Sequence, residues 1–222
     1  MGRPAEGLGK RGGAPKIGSR ERVLRAAWVL SLGSPLTAAY AAYVGTSEVL
    51  VADLVRSISE SIALLLSWLA YRMVQRSPGR NDGAYVRSTY GRVGVLIALV
   101  MWVSAMLIIV GVVAGLRDPQ AVANVWAGMI VAAGGAAHNI WFWRRYVLIS
   151  RQDTTAFFGS QWRFYRAKTV VNLSVLVSLT ASTLVADRGL SPYVDTAGSI
   201  AVALFMVVFG YGSLRQALAG MR

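Results

Sequence analysis

Val49-Leu50-Val51-Ala52-Asp53-Leu54-Val55-Arg56-Ser57-Ile58-Ser59-Glu60-Ser61-Ile62-Ala63-Leu64-Leu65-Leu66-Ser67-Trp68-Leu69-Ala70-Tyr71-Arg72-Met73 decides how this chain is read. A helix that crosses the hydrocarbon core of a bilayer needs ~20 mostly apolar residues, and this run is long enough. Asp53 and Arg56 are three apart, Arg56 and Glu60 four apart. At 3.6 residues per turn all three share one stripe, with Ser57 between them, about 10 Å long at ~1.5 Å per residue. An ionisable side chain at that depth is costly, faces protein or water, and is a functional candidate by default. The run therefore predicts a membrane helix that turns a charged face toward a bundle.

Five further segments match it: Leu24 to Val44, Val93 to Leu116, Val122 to Trp143, Thr169 to Ala186, and Val194 to Leu214. The fold class predicted is all-α and integral to the membrane, a bundle of six transmembrane helices. Composition agrees: 55% of the 222 residues are hydrophobic and only 15% charged, against about 25% in an average soluble protein. The connections alternate. Gly45-Thr46-Ser47-Glu48, Arg117-Asp118-Pro119-Gln120 and Asp187 to Tyr193 are short and nearly neutral. The segment before the first helix carries Arg3, Lys10, Arg11, Lys16, Arg20, Arg22 and Arg25. Arg72, Arg76, Arg80, Arg87 and Arg92 surround the second connection, and Arg144, Arg145, Arg151, Arg163 and Arg166 the fourth. Basic loops stay inside, so these connections and both termini are expected in the cytoplasm. The net charge of +13 then anchors topology, and no nucleic-acid partner is expected.

The domain division expected is a disordered basic cytoplasmic tail over 1–20, a transmembrane domain over 21–216, and no C-terminal cytoplasmic domain. Gly128, Gly134, Gly135, Gly198 and Gly210 are expected where helices pack closely. Trp141 and Trp143 beside Arg144 and Arg145 read as an interfacial aromatic belt, and so do Trp28, Trp68 and Tyr71.

The charged stripe supports two readings. Arg56 neutralises Asp53 and Glu60 in an internal ion network, or the carboxylates line a path for a cation or proton. His138, Asn139 and Asn172 are the other polar intrusions. His138 reads as a hydrogen-bonded packing residue before it reads as a ligand. Lys168 opens the fifth apolar segment at the cytoplasmic edge, where snorkelling explains it.

Three stretches resemble the cation diffusion facilitator family. Ser47 through Glu60 is similar to its "S-x-x-L-x-A-D-x-x-H/D-S-x-x-D". Tyr90-Gly91-Arg92 is similar to the "Y/H-G-R/K-x-E" that opens its third helix. Pro192-Tyr193-Val194-Asp195-Thr196 is similar to the "P-W-x-D-P" that opens its sixth, with Gly210, Gly212 and Leu214 in familiar places. The resemblance implies a membrane domain of six helices with both ends inside, exchanging divalent metal cations for protons. It also implies a tetrahedral site from two residues four apart on the second helix and two four apart on the fifth.

The chain departs from that pattern at the ligands. The second-helix pair falls on Arg56 and Glu60, the fifth-helix pair on Phe164 and Lys168, and Gly94 replaces the third-helix Glu. Asp53 and Glu60 remain as weak metal candidates, and like-charge repulsion from Arg56 and Lys168 opposes a divalent ion there. The function expected is cation transport across the plasma membrane through an altered ion site. The alternative is a transport-inactive homologue, stabilised by an internal Arg56–Glu60 salt bridge that Lys168 joins, serving as a partner or regulatory membrane subunit. No enzyme activity and no cofactor are expected; a divalent metal ion enters as substrate. The partners expected are the lipid bilayer and a second membrane subunit, in a homodimer or heterodimer. Reporter fusions after Arg80 and Arg151 should read cytoplasmic, and those at Thr46, Pro119 and Arg188 external. A cytoplasmic signal at Pro119 removes the six-span topology.

Overall fold

The computed structural model describes residues 28–29, 31–76, 83–117, 124–152, 156–186 and 189–221. The basic tail over 1–20, Arg80, Pro119 and Arg188 lie outside them. Six helices stand among the described residues. They are α1 (Gly33–Val44), α2 (Glu48–Gln75), α3 (Gly83–Arg117), α4 (Trp126–Gln152), α5 (Ala156–Leu184) and α6 (Ser191–Met221). Three stretches are long and apolar enough to cross a bilayer by length and composition: Gly83–Arg117, Tyr165–Leu184 and Ser191–Ala219.

The helices outrun the apolar segments that announce them. α3 begins ten residues before Val93, and α5 thirteen before Thr169. Hydrophobicity marks only the part in contact with hydrocarbon, while backbone hydrogen bonding continues through arginine-rich turns that also favour helix. α6 likewise reaches Met221, past the predicted boundary at 216.

α2 packs against α1, α3, α5 and α6, and the most extensive pairings are α3 with α6 and α4 with α5. The core lies around α2: Val49, Leu50 and Ala52 meet Met101, Ala105 and Ile108 of α3, Val175 and Leu179 of α5, and Val202 and Met206 of α6. Without a hydrophobic drive between helices in lipid, close approach and polar contacts hold such pairs together. A Cβ at Gly128 would meet Leu50 and Leu179, one at Gly198 would meet Ser178, and one at Gly210 would meet Trp102. Gly134 is different: a Cβ there would meet nothing among the described residues, so close approach of a helix within them does not require this glycine. Ser59 donates to or accepts from Ser104 at 2.6 Å between α2 and α3, and Trp102 Nε1 donates to the Val207 carbonyl at 3.3 Å between α3 and α6.

The N-terminal end of α2 is tied to α6. Asp195, 1% exposed, accepts from Ser47 Oγ at 2.7 Å and from the backbone N–H groups of Glu48 at 2.5 Å and Val49 at 3.3 Å. Those are orphan donors of the first turn of α2, which a carboxylate satisfies and whose positive dipole end it complements. Ser47 is the cap within the chain, accepting from Leu50 N at 3.4 Å. Thr196 donates to Glu48 Oε2 at 3.0 Å, and the Glu48 carboxylate lies over Gly115 of α3. Removing a capping side chain costs ~0.5–2 kcal/mol. Asp195→Ala is therefore expected to lower stability in detergent by at least ~1 kcal/mol, and Asp195→Asn, which keeps an acceptor oxygen, by less. Equal losses in chemical denaturation would show that the carboxylate does not act as the cap.

Candidate functional site

Helical periodicity places Asp53, Arg56, Ser57 and Glu60 on one face of α2, and packing buries all four. Arg56 is 1% exposed. A guanidinium presents five N–H donors and cannot lose its charge, so it must find acceptors at that depth. Its Nε and Nη2 donate to Asp53 Oδ1 at 3.0 and 2.6 Å, and its Nη1 donates to Glu60 Oε1 at 2.5 Å. Nη2 also donates to Asn172 Oδ1 on α5 at 3.0 Å.

Glu60 has a second cation. Lys168 Nζ of α5 stands 2.8 Å from Glu60 Oε2, with the Lys168 side chain 13% exposed. This approach is an ion pair rather than an aligned hydrogen bond, because Oε2 has no partner in hydrogen-bonding geometry. Two carboxylates and two cations thus alternate along the α2–α5 contact and sum to zero charge. Stepping back one turn on α2, from Glu60 to Arg56, steps forward one turn on α5, from Lys168 to Asn172. The two helices are antiparallel in this register.

Of the two settings expected for Lys168, snorkelling at the membrane edge and membership of the internal salt bridge, the structure has the second. Lys168 lies twelve positions after the start of α5 and turns to Glu60 instead of snorkelling to the membrane edge. The Asn172 amide lies over Gly135 of α4, where an added Cβ would collide with it. Phe142 of α4 stacks on Tyr165 of α5 with ring centroids 5.0 Å apart. Those two contacts set the α4–α5 register and bring Asn139, buried at 5% exposure, level with Lys168. His138, its neighbour, is exposed on the outward side of α4 and packs against Phe142 at 4.7 Å, so it is not gathered with the network. The Phe164 side chain lies outside the described residues.

Among the described residues no three His, Cys, Asp or Glu side chains converge as metal ligands do. Between Asp53 and Glu60 stands Arg56, and beyond Glu60 stands Lys168. Positive groups of the chain thus stand on Asp53 Oδ1 and on both Glu60 oxygens. Asp195 is the buried acidic residue that the sequence reading passed over as a functional intrusion. Its signal was available, since an Asp within an apolar helix calls for a partner.

Arg56 holds the network from its middle, which makes the losses unequal. Arg56→Leu strands Asp53 without a cation and should cost ~3–5 kcal/mol, as breaking a buried ion pair does. Glu60→Leu leaves Arg56 paired with Asp53 and frees the flexible Lys168, so a smaller loss is expected, and Arg56→Leu with Glu60→Leu should not add. Melting temperatures in detergent test this ordering; additive losses, or a larger loss from Glu60→Leu, would refute it.

Comparison with known proteins adds one positive finding. No curated protein matches the chain. The family described as Cation efflux transmembrane domain matches over residues 24–221, which takes in all six helices and every residue of the network. With nearly the whole chain covered, this is a membrane protein of the cation efflux family of cation transporters.

Proposed function

We propose that the chain is a six-span, multi-pass protein of the plasma membrane, with both ends in the cytoplasm, that exchanges a cation for a proton through an altered site. The observation that carries this reading is the Lys168–Glu60 pair, 2.8 Å long, at the α2–α5 contact. Of the two cations in the network only Lys168 can give up its proton, since a guanidinium stays charged in proteins. It is also the more accessible, at 13% side-chain exposure against 2% for Arg56.

The charge balance follows from these partners. With Lys168 protonated, Asp53, Arg56, Glu60 and Lys168 sum to zero. When Lys168 loses its proton the sum is −1, and Glu60 Oε2 is released. A cation of single charge restores neutrality, with the Asn139 amide as a neutral oxygen at the same level. A divalent ion would leave +1 beside Arg56 in a low dielectric, where like charges repel strongly. The cargo supported is therefore a monovalent cation. No catalytic chemistry and no resident cofactor belong to this reading.

A second reading has its own observation. Arg56 is bonded at once to Asp53, Glu60 and Asn172, so the network is satisfied without any external ion. That supports a transport-inactive homologue that serves as the partner or regulatory subunit in a dimer with another membrane protein. Proteoliposomes carrying an internal pH dye separate the two. In the first reading an imposed Na⁺ or K⁺ gradient drives proton flux, Zn²⁺ drives none, Glu60→Gln abolishes it, and Lys168→Met passes the cation without proton flux. No flux with any ion, from protein that melts cooperatively, would discard transport in favour of the second reading.

A further inference from the structure

At the far end of α2 from Asp195, two buried donors lack acceptors. Among the described residues Trp68 Nε1 and Arg72 Nε have no hydrogen-bond partner. The two side chains are one turn apart on α2 and in contact: the Arg72 guanidinium carbon lies 5.5 Å from the centroid of the Trp68 ring. Trp28 stacks on Trp68 with centroids 6.0 Å apart and ring planes at 4°. Arg76, a further turn along the same face, is exposed.

Buried N–H groups of native proteins are nearly always paired, and each exception calls for an explanation. Depth supplies one. Counting from Glu48 at the outer end, Trp68 lies about 30 Å and Arg72 about 36 Å along the helix axis, from the ~1.5 Å rise per residue. The hydrocarbon core is ~30 Å thick, so this stripe spans its inner boundary. The abundant acceptors at that level of a bilayer are phosphate oxygens, and a planar guanidinium matches a phosphate with two parallel hydrogen bonds.

We propose that Trp68, Arg72 and Arg76 form a site for the phosphate of an anionic phospholipid headgroup. In the empty site Arg72 rests on the Trp68 ring through a cation–π contact. In the filled site it swings off the ring, and both orphan nitrogens donate to phosphate oxygens. Trp28 holds the indole in place throughout. Interfacial tryptophans and arginines also anchor helices without binding any one lipid, and the unpaired donors are what separate a site from such an anchor. The site requires only that the protein lie in a membrane, and it stands or falls separately from transport.

The test uses the purified full chain in a neutral maltoside detergent, with thermal melting followed against added short-chain phosphatidylglycerol. Saturable stabilisation is expected, with inorganic phosphate at equal concentration producing none. Trp68→Phe keeps the ring and loses one donor; Arg72→Lys keeps the charge and loses the planar fork. Each should weaken the half-saturating concentration by about tenfold, a loss of ~1.4 kcal/mol in binding. Arg117→Gln, at the opposite end of the bundle, should leave it unchanged. If both variants titrate like the wild type, or an anionic detergent without phosphate stabilises equally well, the site is only an unspecific anchor. An equal response to inorganic phosphate would overturn the lipid assignment. Should a variant fail to fold, native mass spectrometry of the wild type decides: retention of phosphatidylglycerol no greater than phosphatidylcholine would reject the proposal.

Discussion

Arg56 sets the terms for the middle of this bundle. A guanidinium that cannot deprotonate is buried to 1% exposure inside a helix of a membrane protein. Isolated, it would cost several kcal/mol, so neighbouring groups must compensate it from close range. Asp53 and Glu60 do so from its own helix, one turn to either side, and Asn172 does so from α5. Two carboxylates against one cation then leave a negative remainder, and Lys168 supplies the balance. The α2–α5 contact is thus specified in both rotation and register. A slip of one turn would place Lys168 against Arg56.

The same helix is fixed at its N-terminal end by different physics. Asp195 of α6 satisfies backbone N–H groups that begin α2 and lack partners within the helix. Ser47 and Thr196 extend this junction into a small polar cluster, with Glu48 fitted over Gly115 of α3. α2 is therefore joined to α6 and α3 near one membrane face and to α5 near mid-helix. Movement of α2 in a transport cycle would have to break contacts at one of these levels while keeping those at the other.

Membership in a cation efflux family makes the substitution of ligands informative. Where the resemblance implies four metal-binding side chains, the described structure has Glu60 held between Arg56 and Lys168. The oxygen that a metal would bind is held by an ammonium of the chain itself. The other helix contacts rest on glycine approaches, the Ser59–Ser104 pair and the Asp195 cap, none of which needs a metal.

Much of this was legible from the residues in order. Apolar runs of bilayer length announced the helices. The 3.6-residue period put Asp53, Arg56 and Glu60 on one stripe, since neighbours along a single helix are set by backbone geometry. Helix ends were less legible, because α3 and α5 continue into basic turns that hydrophobicity does not mark. The relations between helices were less legible. The sequence left Lys168 between snorkelling and an internal salt bridge with Glu60, and nothing local says that Asn139 turns inward while adjacent His138 turns outward. Asp195 is 147 residues from the Glu48 N–H it accepts from, and no local pattern joins them. Periodicity determines which side chains share a face; only packed neighbours, each with a rotation and a register, decide what that face meets.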